Sequence, residues 1–360
     1  MTPTINVVIV DDSAFMRKSL SMMLESDPQI KVVATARNGK EGIEKIRQYR
    51  PDLVTMDIEM PEMDGLTALG IIMKEMPLPV LMVSSLTNEG AQSTLDALNL
   101  GAVDFIPKDL SSVSLDIVKI KEDLIAKVKH IAQSRALQFR LQRIRSGGRT
   151  RAAAPLAPVQ RAGSVPSGRK DLRAVVIGIS TGGPFALLQT IPKLPKDFPL
   201  GIAIVQHMPP RFTKSMAERL NGLSKVEVKE AEAGDILRPG LVLIAPGGMH
   251  MTFEANGNSA AAVISPEPST TLHRPCADVM ILSAADVFKG PLLGVIMTGM
   301  GKDGLQGLKR IKMLGGFVVA QNEETCVVYG MPKAAVDEGV ADVAVALEDI
   351  PKTLVKIVSE

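Results

Sequence analysis

The sequence predicts an α/β protein of two doubly wound domains, each built on a mostly parallel sheet. Short apolar runs rich in β-branched residues alternate with segments of helical periodicity along most of the chain. Such alternation is typical of parallel sheets covered by helices. The chain has 360 residues, more than one hydrophobic core usually supports, and this length predicts two domains.

Composition excludes several classes of protein. With 46% hydrophobic and 22% charged residues, both domains should be ordinary globules. Only two cysteines occur, Cys276 and Cys326, which argues against a disulfide scaffold and favours a reducing cytoplasm. The first ten residues lack the pattern of a signal peptide, and no apolar run approaches the length of a membrane span. We therefore expect a cytoplasmic protein without membrane insertion.

The first third of the chain places polar residues directly after apolar runs. The runs are Ile5 to Val10, Leu53 to Met56, Val80 to Val83 and Val103 to Ile106, and the residues that follow are Asp11, Asp12, Asp57, Ser84 and Lys108. The carboxyl ends of parallel strands share one edge of a sheet, where ligands bind, so these side chains should converge. Any one of the acids alone is better read as a helix cap or loop carboxylate.

Three carboxylates at one place repel each other unless a cation joins them. Mg²⁺, which prefers oxygen ligands, is the natural partner of Asp11, Asp12 and Asp57. Lys108 is then placed to neutralise an incoming phosphoryl group, and Asp57 to accept it as an aspartyl phosphate. The pattern predicts a magnesium-dependent phosphorylation site.

Residues 5 to about 125 resemble a two-component receiver domain, which has a flavodoxin-like fold. The loop Asp57-Ile58-Glu59-Met60-Pro61-x-Met63-Asp64-Gly65 fits the signature of that family. The resemblance implies that Asp57 is phosphorylated, that Asp11 and Asp12 bind the metal, and that Ser84, Phe105 and Lys108 form the switch. It also implies a chemotaxis histidine kinase as phosphodonor. One departure is that Pro107 precedes the lysine and Asp109 follows it, whereas the family usually has proline after the lysine.

A basic segment separates the two halves. From Asp116 to Lys170 there are 13 Lys and Arg residues against three acids. Apolar residues from Ile117 to Ile131 recur at helical spacing, whereas the stretch from Ser146 to Lys170 lacks periodicity and is predicted to be a linker. A nucleic-acid arm is the alternative, but the linker carries almost no aromatic residues. We expect a solvated connector and no nucleic-acid partner.

The second half contains a glycine turn after an apolar run, Gly178-Ile179-Ser180-Thr181-Gly182-Gly183-Pro184. The pattern fits a nucleophile elbow that presents Ser180. Taken alone, it is better interpreted as a helix start that binds phosphate or turns the chain. The strand candidates are Leu172 to Ile177, Ile202 to Val205, Val242 to Ile244, Leu293 to Met297 and Phe317 to Ala320, with an antiparallel insertion around His250 to Ile264.

Three polar residues stand just past strands of this second set: Ser180, His207 and Asp303. On one edge of a doubly wound sheet they would form an acyl-transfer triad of nucleophile, base and orienting carboxylate. Each residue also has an ordinary structural interpretation. His207 alone could be a surface or hydrogen-bonded histidine, and Asp303 alone could form a turn or cap a helix. A dinucleotide site is the competing hypothesis, but the glycine spacing is incomplete and no acid follows the next strand.

Residues 171 to about 355 resemble the catalytic domain of chemotaxis protein-glutamate methylesterases (the CheB family). The resemblance is carried by Ile179-Ser180-Thr181-Gly182-Gly183-Pro184, Gln206-His207-Met208-Pro209, His273-Arg274-Pro275 and Thr298-Gly299-Met300-Gly301-x-Asp303-Gly304. It implies a Rossmann-like esterase domain with Ser180, His207 and Asp303 as triad and no cofactor for hydrolysis. Thr181 and Met300 become candidates for the oxyanion hole, and His273 and Arg274 for the cleft.

The order of receiver, linker and esterase also matches that family, which implies a phosphorylation-activated serine hydrolase of sensory adaptation in chemotaxis. Its substrates would be methylated glutamates of chemoreceptors, with release of methanol, and receptor glutamines. We expect a receiver at residues 1–125, a basic helix extension and linker at 126–170, and a catalytic domain at 171–360. The unphosphorylated receiver is expected to limit access to Ser180. A non-enzymatic response regulator that binds DNA and a nucleotide-dependent enzyme are the rival hypotheses.

Overall fold

The structure is a computed structural model that describes residues 4–108, 116–134, 137, 141, 165–257 and 259–359. The chain divides into two compact units, Met1–Ala154 and Pro155–Glu360. This division falls inside the predicted extension and linker, most of which lies outside the described residues, as does Asp109. Within the described part of the chain, no helix has the length and apolar character needed to cross a membrane.

The first unit is a five-stranded parallel sheet covered by helices. Its strands are β1 (Ile5–Val10), β2 (Ile30–Ala36), β3 (Leu53–Asp57), β4 (Val80–Ser84) and β5 (Asp104–Pro107), in the order β2-β1-β3-β4-β5. Its helices are α1 (Ala14–Leu24), α2 (Gly39–Tyr49), α3 (Gly65–Glu75), α4 (Asn88–Leu100) and α5 (Asp116–Gln133). The central strands are buried on both faces, as parallel strands between helix layers must be.

The second unit is organised around a seven-stranded parallel sheet in the order β15-β14-β13-β6-β7-β10-β8. These strands are β6 (Val175–Ile179), β7 (Ile202–Gln206), β8 (Glu227–Glu230), β10 (Leu241–Ile244), β13 (Leu293–Ile296), β14 (Phe317–Gln321) and β15 (Val343–Val345). The helices are α6 (Gly183–Thr190), α7 (Phe212–Leu223), α8 (Ala277–Phe288), α9 (Leu305–Met313), α10 (Met331–Asp337) and α11 (Ile350–Val358).

The second unit also contains a small antiparallel sheet of three strands, of which one lies between β8 and β10 in the chain and two lie between β10 and β13. It consists of β9 (Ile236–Leu237), β11 (His250–Asn256) and β12 (Ser259–Ser265), and α8 follows it in the chain. The predicted insertion around His250 to Ile264 is therefore confirmed. The loop from β12 to α8 carries His273 and Arg274.

The strand orders explain where functional groups gather. In the first sheet β2 is added on one side of β1 and β3 on the other, so the order of strands reverses between β1 and β3. In the second sheet β6 likewise lies between β7 and β13. Ligands in open α/β sheets bind at the carboxyl ends of strands at such switch points. The predicted metal-binding acids and the predicted triad lie at the carboxyl ends of these strands or in the loops that follow them.

Two details differ from the sequence prediction. The strand expected at Leu172 to Ile177 instead spans Val175–Ile179, because Gly178 still pairs with β7 and β13 before the chain turns. The end of the predicted linker is attached to the second unit, since the Gly168 and Arg169 amides donate to carbonyls of the C-terminal segment at 3.1 and 2.7 Å.

Candidate functional sites

Ser180 stands on a tight turn between β6 and α6. Its amide donates to the Thr298 carbonyl at 3.0 Å, and its own carbonyl accepts from the Gly183 amide at 2.7 Å. Gly182 has φ of 77°, and a Cβ at this position would lie 2.6 Å from the Val327 side chain. Only glycine fits there without strain or displacement. The turn thus holds Ser180 in one place at the end of β6.

Ser180, His207 and Asp303 form a continuous hydrogen-bonded array. The Ser180 Oγ lies 3.1 Å from His207 Nδ1, and His207 Nε2 lies 2.8 Å from Asp303 Oδ2. The His207 and Asp303 side chains are only 8% and 13% exposed. A neutral imidazole with its proton on Nε2 accepts from the serine and donates to the carboxylate. This is the arrangement in which a histidine removes a proton from a serine hydroxyl.

Asp303 also caps the N-terminus of α8, a helix that lies well before it in the chain. Its carboxylate accepts hydrogen bonds from the amides of Ala277 at 2.6 Å and Asp278 at 2.9 Å, and Cys276 Sγ lies 3.0 Å away. Burial alone would raise the pKa of Asp303, but the His207 hydrogen bond and charge, with these donors, hold it well below its usual range. Capping and orienting the histidine are thus performed by one carboxylate.

Two side chains that sequence reasoning missed connect the strand ends. Gln206 Nε2 donates to the carbonyls of Ser180 at 3.0 Å and His207 at 3.2 Å. Thr298 Oγ1 donates to the Thr181 carbonyl at 2.9 Å and accepts from the Val328 amide at 3.0 Å. Both side chains are buried. Their only signal in the sequence is that they begin motifs containing His207 and Asp303.

The loop before α8 brings His273 against the array. The His273 and His207 rings stack with centroids 4.3 Å apart and planes 23° apart. Arg274 lies in the same loop with an exposed side chain, and its carbonyl accepts from the Gly248 amide at 3.1 Å. Of the two predicted cleft residues, His273 therefore contacts the triad directly.

The predicted oxyanion residues are adjacent in the chain to Ser180 and to Gly299, where an added Cβ would lie 2.8 Å from Ser180 Cβ. Thr181 follows Ser180, and Met300 lies in the loop that leads from β13 to Asp303. The backbone amides of Thr181 and Met300 donate no hydrogen bond to any described residue. Amides left free beside a nucleophile are available to an oxyanion.

The second constellation, in the first unit, gathers acids and a lysine. Asp11, Asp12 and Asp57 each offer an oxygen within 4.8 Å of the others. Lys108 Nζ lies 2.5 Å from Asp57 Oδ2 and 3.4 Å from Asp11 Oδ2. Asp11 and Asp57 are fully buried, whereas Asp12 is exposed. The structure thus brings together four of the five residues that sequence analysis placed at this edge.

The donor set suits a hard divalent cation. Burial raises the pKa of Asp57 to about 6, the Asp11 charge adds to this, and Lys108 opposes it. Burial likewise raises the pKa of Asp11. The Oδ2 atoms of both acids accept no hydrogen bond of normal geometry from the described residues, so Lys108 is their main compensation. Clustered carboxylate oxygens with unsatisfied acceptor capacity are what Mg²⁺ binds.

The predicted switch residues pack on α4 and α5. Ser84 Oγ lies 2.7 Å from Thr94 Oγ1 and 3.2 Å from the Gly90 carbonyl oxygen, both on α4. Phe105 is buried, and Lys127 of α5 lies 5.9 Å from its ring centroid. Lys127 also forms an ion pair of 3.0 Å with Asp104, which is buried. The Lys127 side chain is only 15% exposed.

Comparisons with known proteins find a match for each of the two units. Residues 175–354 match the CheB methylesterase family and residues 7–118 match the response regulator receiver domain. A protein-glutamate methylesterase/protein-glutamine glutaminase of Oleidesulfovibrio alaskensis is 53% identical, with 98% of this chain and 99% of that protein covered. The corresponding protein of Pyrococcus horikoshii is 47% identical, with 98% and 94% covered.

A solved structure is similar to the second unit. The CheB methylesterase catalytic domain of Thermotoga maritima is 46% identical with a TM-score of 0.50, and the match covers 51% of this chain and 97% of that one. The two family matches follow each other along the chain, receiver first and catalytic domain second, and the full-length relatives cover 98% of the chain. This chain therefore belongs to the protein-glutamate methylesterase/protein-glutamine glutaminase family, with a response-regulator receiver domain ahead of the CheB catalytic domain.

Proposed function

We propose that this chain hydrolyses glutamate methyl esters of chemoreceptors through Ser180, His207 and Asp303. His207 Nδ1 removes the hydroxyl proton as Ser180 Oγ attacks the ester carbonyl. Asp303, held anionic at the start of α8, keeps the His207 proton on Nε2 and stabilises the imidazolium that forms. The unbroken array of 3.1 and 2.8 Å is the observation that carries this proposal.

Collapse of the tetrahedral intermediate expels the methoxide, which takes the proton from His207 and leaves as methanol. Water then attacks the acyl-serine, with His207 again as base, and releases the glutamate carboxylate. The Thr181 and Met300 amides would hold the oxyanion in both steps, and Gln206, whose Nε2 donates to the Ser180 carbonyl, would orient the peptide that carries the Thr181 amide. Hydrolysis by this route needs no cofactor.

Glutamine side chains of the same receptors are a second substrate of this route. An amide passes through the same acyl-serine, and ammonia leaves in place of methanol once His207 has protonated the nitrogen. The family shares this double activity in its name, protein-glutamate methylesterase/protein-glutamine glutaminase.

The receiver would control this activity through Asp57. A chemotaxis histidine kinase is the expected phosphodonor, and Asp57 Oδ is the acceptor. Asp11, Asp12 and Asp57 would hold Mg²⁺, which supplies charge neutralisation for the incoming phosphoryl group. Lys108, already paired with Asp57, would then pair with the phosphoryl oxygens.

The switch follows from the contacts of Ser84 and Phe105. A phosphoryl group on Asp57 offers new acceptors for the Ser84 hydroxyl, whose present partners lie on α4. Withdrawal of that hydroxyl would give up these contacts beside β5, the strand that pairs with β4 and carries Phe105. Phosphorylation thereby changes the α4 and α5 face of the receiver.

The experiment is methanol release from membranes that contain methylated chemoreceptors. The wild-type chain should release methanol, and Ser180→Ala should release none above the background without enzyme. Turnover retained by the alanine variant would remove Ser180 from the mechanism. Ammonia release from receptor glutamines, measured on the same two proteins, tests the second substrate.

A further inference from the structure

His250 is a completely buried histidine outside the triad. It begins β11, and its ring contacts the loop that leads from β12 to α8. That loop carries His273, which stacks on His207. A buried polar ring needs hydrogen-bond partners to offset its loss of water. The partners that His250 uses connect it to both ends of the loop.

Each ring nitrogen has a different kind of partner. Nδ1 lies 3.2 Å from the Cys276 amide, which only donates. Nε2 lies 3.2 Å from the Pro268 carbonyl oxygen, which only accepts, and 3.1 Å from Thr271 Oγ1. The pair of contacts therefore selects the neutral imidazole with its proton on Nε2.

The surrounding charges leave that neutral form favoured. Burial lowers the pKa of His250, and the Arg274 charge lowers it further, while the Pro268 hydrogen bond and the charges of Asp303 and Glu267 oppose the shift. The remaining titratable neighbour, Cys276, is a thiol whose pKa is raised to about 12. A proton added to Nδ1 would face the Cys276 amide and break that hydrogen bond.

The Cys276 amide is next to the groups that hold Asp303. The Ala277 amide donates to Asp303 Oδ2 at 2.6 Å, and Cys276 Sγ lies 3.0 Å from Oδ1. A shift of the Cys276 peptide therefore shifts the donors that fix the carboxylate facing His207. In enzymes, a substitution far from the reacting atoms that misplaces them by about 1 Å can lower turnover about 100-fold.

We propose that His250 is a positioning residue of the hydrolase: its Nδ1 holds the Cys276 peptide so that the first amides of α8 receive the Asp303 carboxylate. The inference rests on the proposed function of Ser180, His207 and Asp303. His250 itself does not contact the serine. It acts on the triad through the loop and the start of α8.

Two substitutions separate the two hydrogen bonds of the ring. In His250→Asn the side-chain oxygen can take the place of Nδ1 and accept from the Cys276 amide. In His250→Gln the longer side chain reaches the position of Nε2 and retains the donor to Pro268 instead. His130→Gln, at an exposed histidine of α5, is the matched control. All are made in the full chain, and each Tm is measured.

Methanol release gives the first readout. We expect His250→Gln to lower kcat about 10- to 100-fold with KM within about twofold of wild type. His250→Asn should keep kcat within about threefold, although both variants lose a ring from the core and have lower Tm. Equal losses of kcat in the two variants, or a loss that follows Tm alone, would overturn the proposal and leave His250 a packing residue.

Histidine NMR gives a readout independent of turnover, and the chain has only four histidines. The His207 ring resonances should move in His250→Gln and stay close to wild type in His250→Asn. Unmoved His207 resonances in His250→Gln would contradict the proposal. If the wild-type chain released no methanol while the resonances behaved as predicted, the proposed function would fail and the positioning role would stand.

Discussion

At the scale of single residues, the properties of the Asp303 and Asp57 carboxylates depend on which neighbouring donors and charges offset their loss of water. Asp303 is only 13% exposed and is anionic because three donors from the start of α8 and the His207 ring surround it. Asp57 is buried with less compensation, since Lys108 is its main partner. The Asp303 carboxylate is therefore held in place to orient His207, whereas the Asp57 carboxylate can still accept a charged group.

Substitution Asp303→Asn tests the orienting role. The amide cannot stabilise the imidazolium and does not select the same tautomer of His207, so we expect kcat to fall on the order of 10⁴-fold with little change in KM. Asp278→Asn, at a neighbouring carboxylate of α8, should keep kcat within about twofold. Comparable losses in both variants would show that the start of the helix, and not the charge on Asp303, limits turnover.

The raised pKa of Asp57 predicts how stability depends on pH. Folding raises this pKa from 3.8 to about 6, so the folded state binds the proton more tightly and its stability falls as the pH rises through this range. Two pKa units correspond to at most about 3 kcal/mol. In EDTA, Asp57→Asn should raise the free energy of unfolding of the receiver by about 1 to 3 kcal/mol at pH 8.

That gain should fall below about 1 kcal/mol near pH 4 and approach zero only below the unfolded-state pKa of 3.8, where the wild-type carboxyl is protonated in the folded and unfolded states alike. Denaturant unfolding at pH 4, 6 and 8 measures it, with the exposed Asp12→Asn as control. A gain that is constant with pH would mean that the Asp57 charge does not oppose folding.

At the scale of elements, the sequence predicts every central strand of the two large sheets and misses three of their four edge strands. Strands β2, β8 and β15 were not predicted, and each lies at an edge of its sheet. Edge strands face solvent on one side, so they lack the continuous apolar run that marks a central parallel strand. The segment Glu227–Glu230, for example, has charged residues at three of four positions.

The site could be predicted as far as it depends on strand ends. Ser180, His207 and Asp303 follow central strands, and a parallel sheet brings such ends together whatever their separation in the chain. Gln206, Cys276 and His250 were missed because their roles depend on which loop packs against which helix. A side chain that bonds to a distant backbone amide leaves no periodic signal.

Gly182→Ala tests the turn that presents the nucleophile. The left-handed φ of 77° and a Cβ 2.6 Å from Val327 both oppose alanine, so we expect about 1 to 3 kcal/mol of destabilisation and at least a tenfold loss of kcat. Gly222→Ala, in α7 where an added Cβ meets nothing within 4 Å, should be neutral or stabilising. Full activity in Gly182→Ala would show that the turn tolerates movement.

At the scale of the whole molecule, the chain uses one structural principle twice. Each unit is a parallel sheet with polar residues at its switch point, and at each site a side-chain oxygen accepts a different group. One is an acidic cluster that accepts a phosphoryl group, and the other is a nucleophile that accepts an acyl group. The central claim is that the phosphorylation state of Asp57 sets the rate of hydrolysis at Ser180.

The most direct test is the initial rate of methanol release from methylated receptor membranes, with and without a small-molecule phosphodonor and Mg²⁺. The wild-type chain should be faster with the donor, Asp57→Asn should release methanol at one rate in both conditions, and Ser180→Ala should release none. Equal stimulation of wild type and Asp57→Asn, or a wild-type rate that the donor leaves unchanged, would contradict the account.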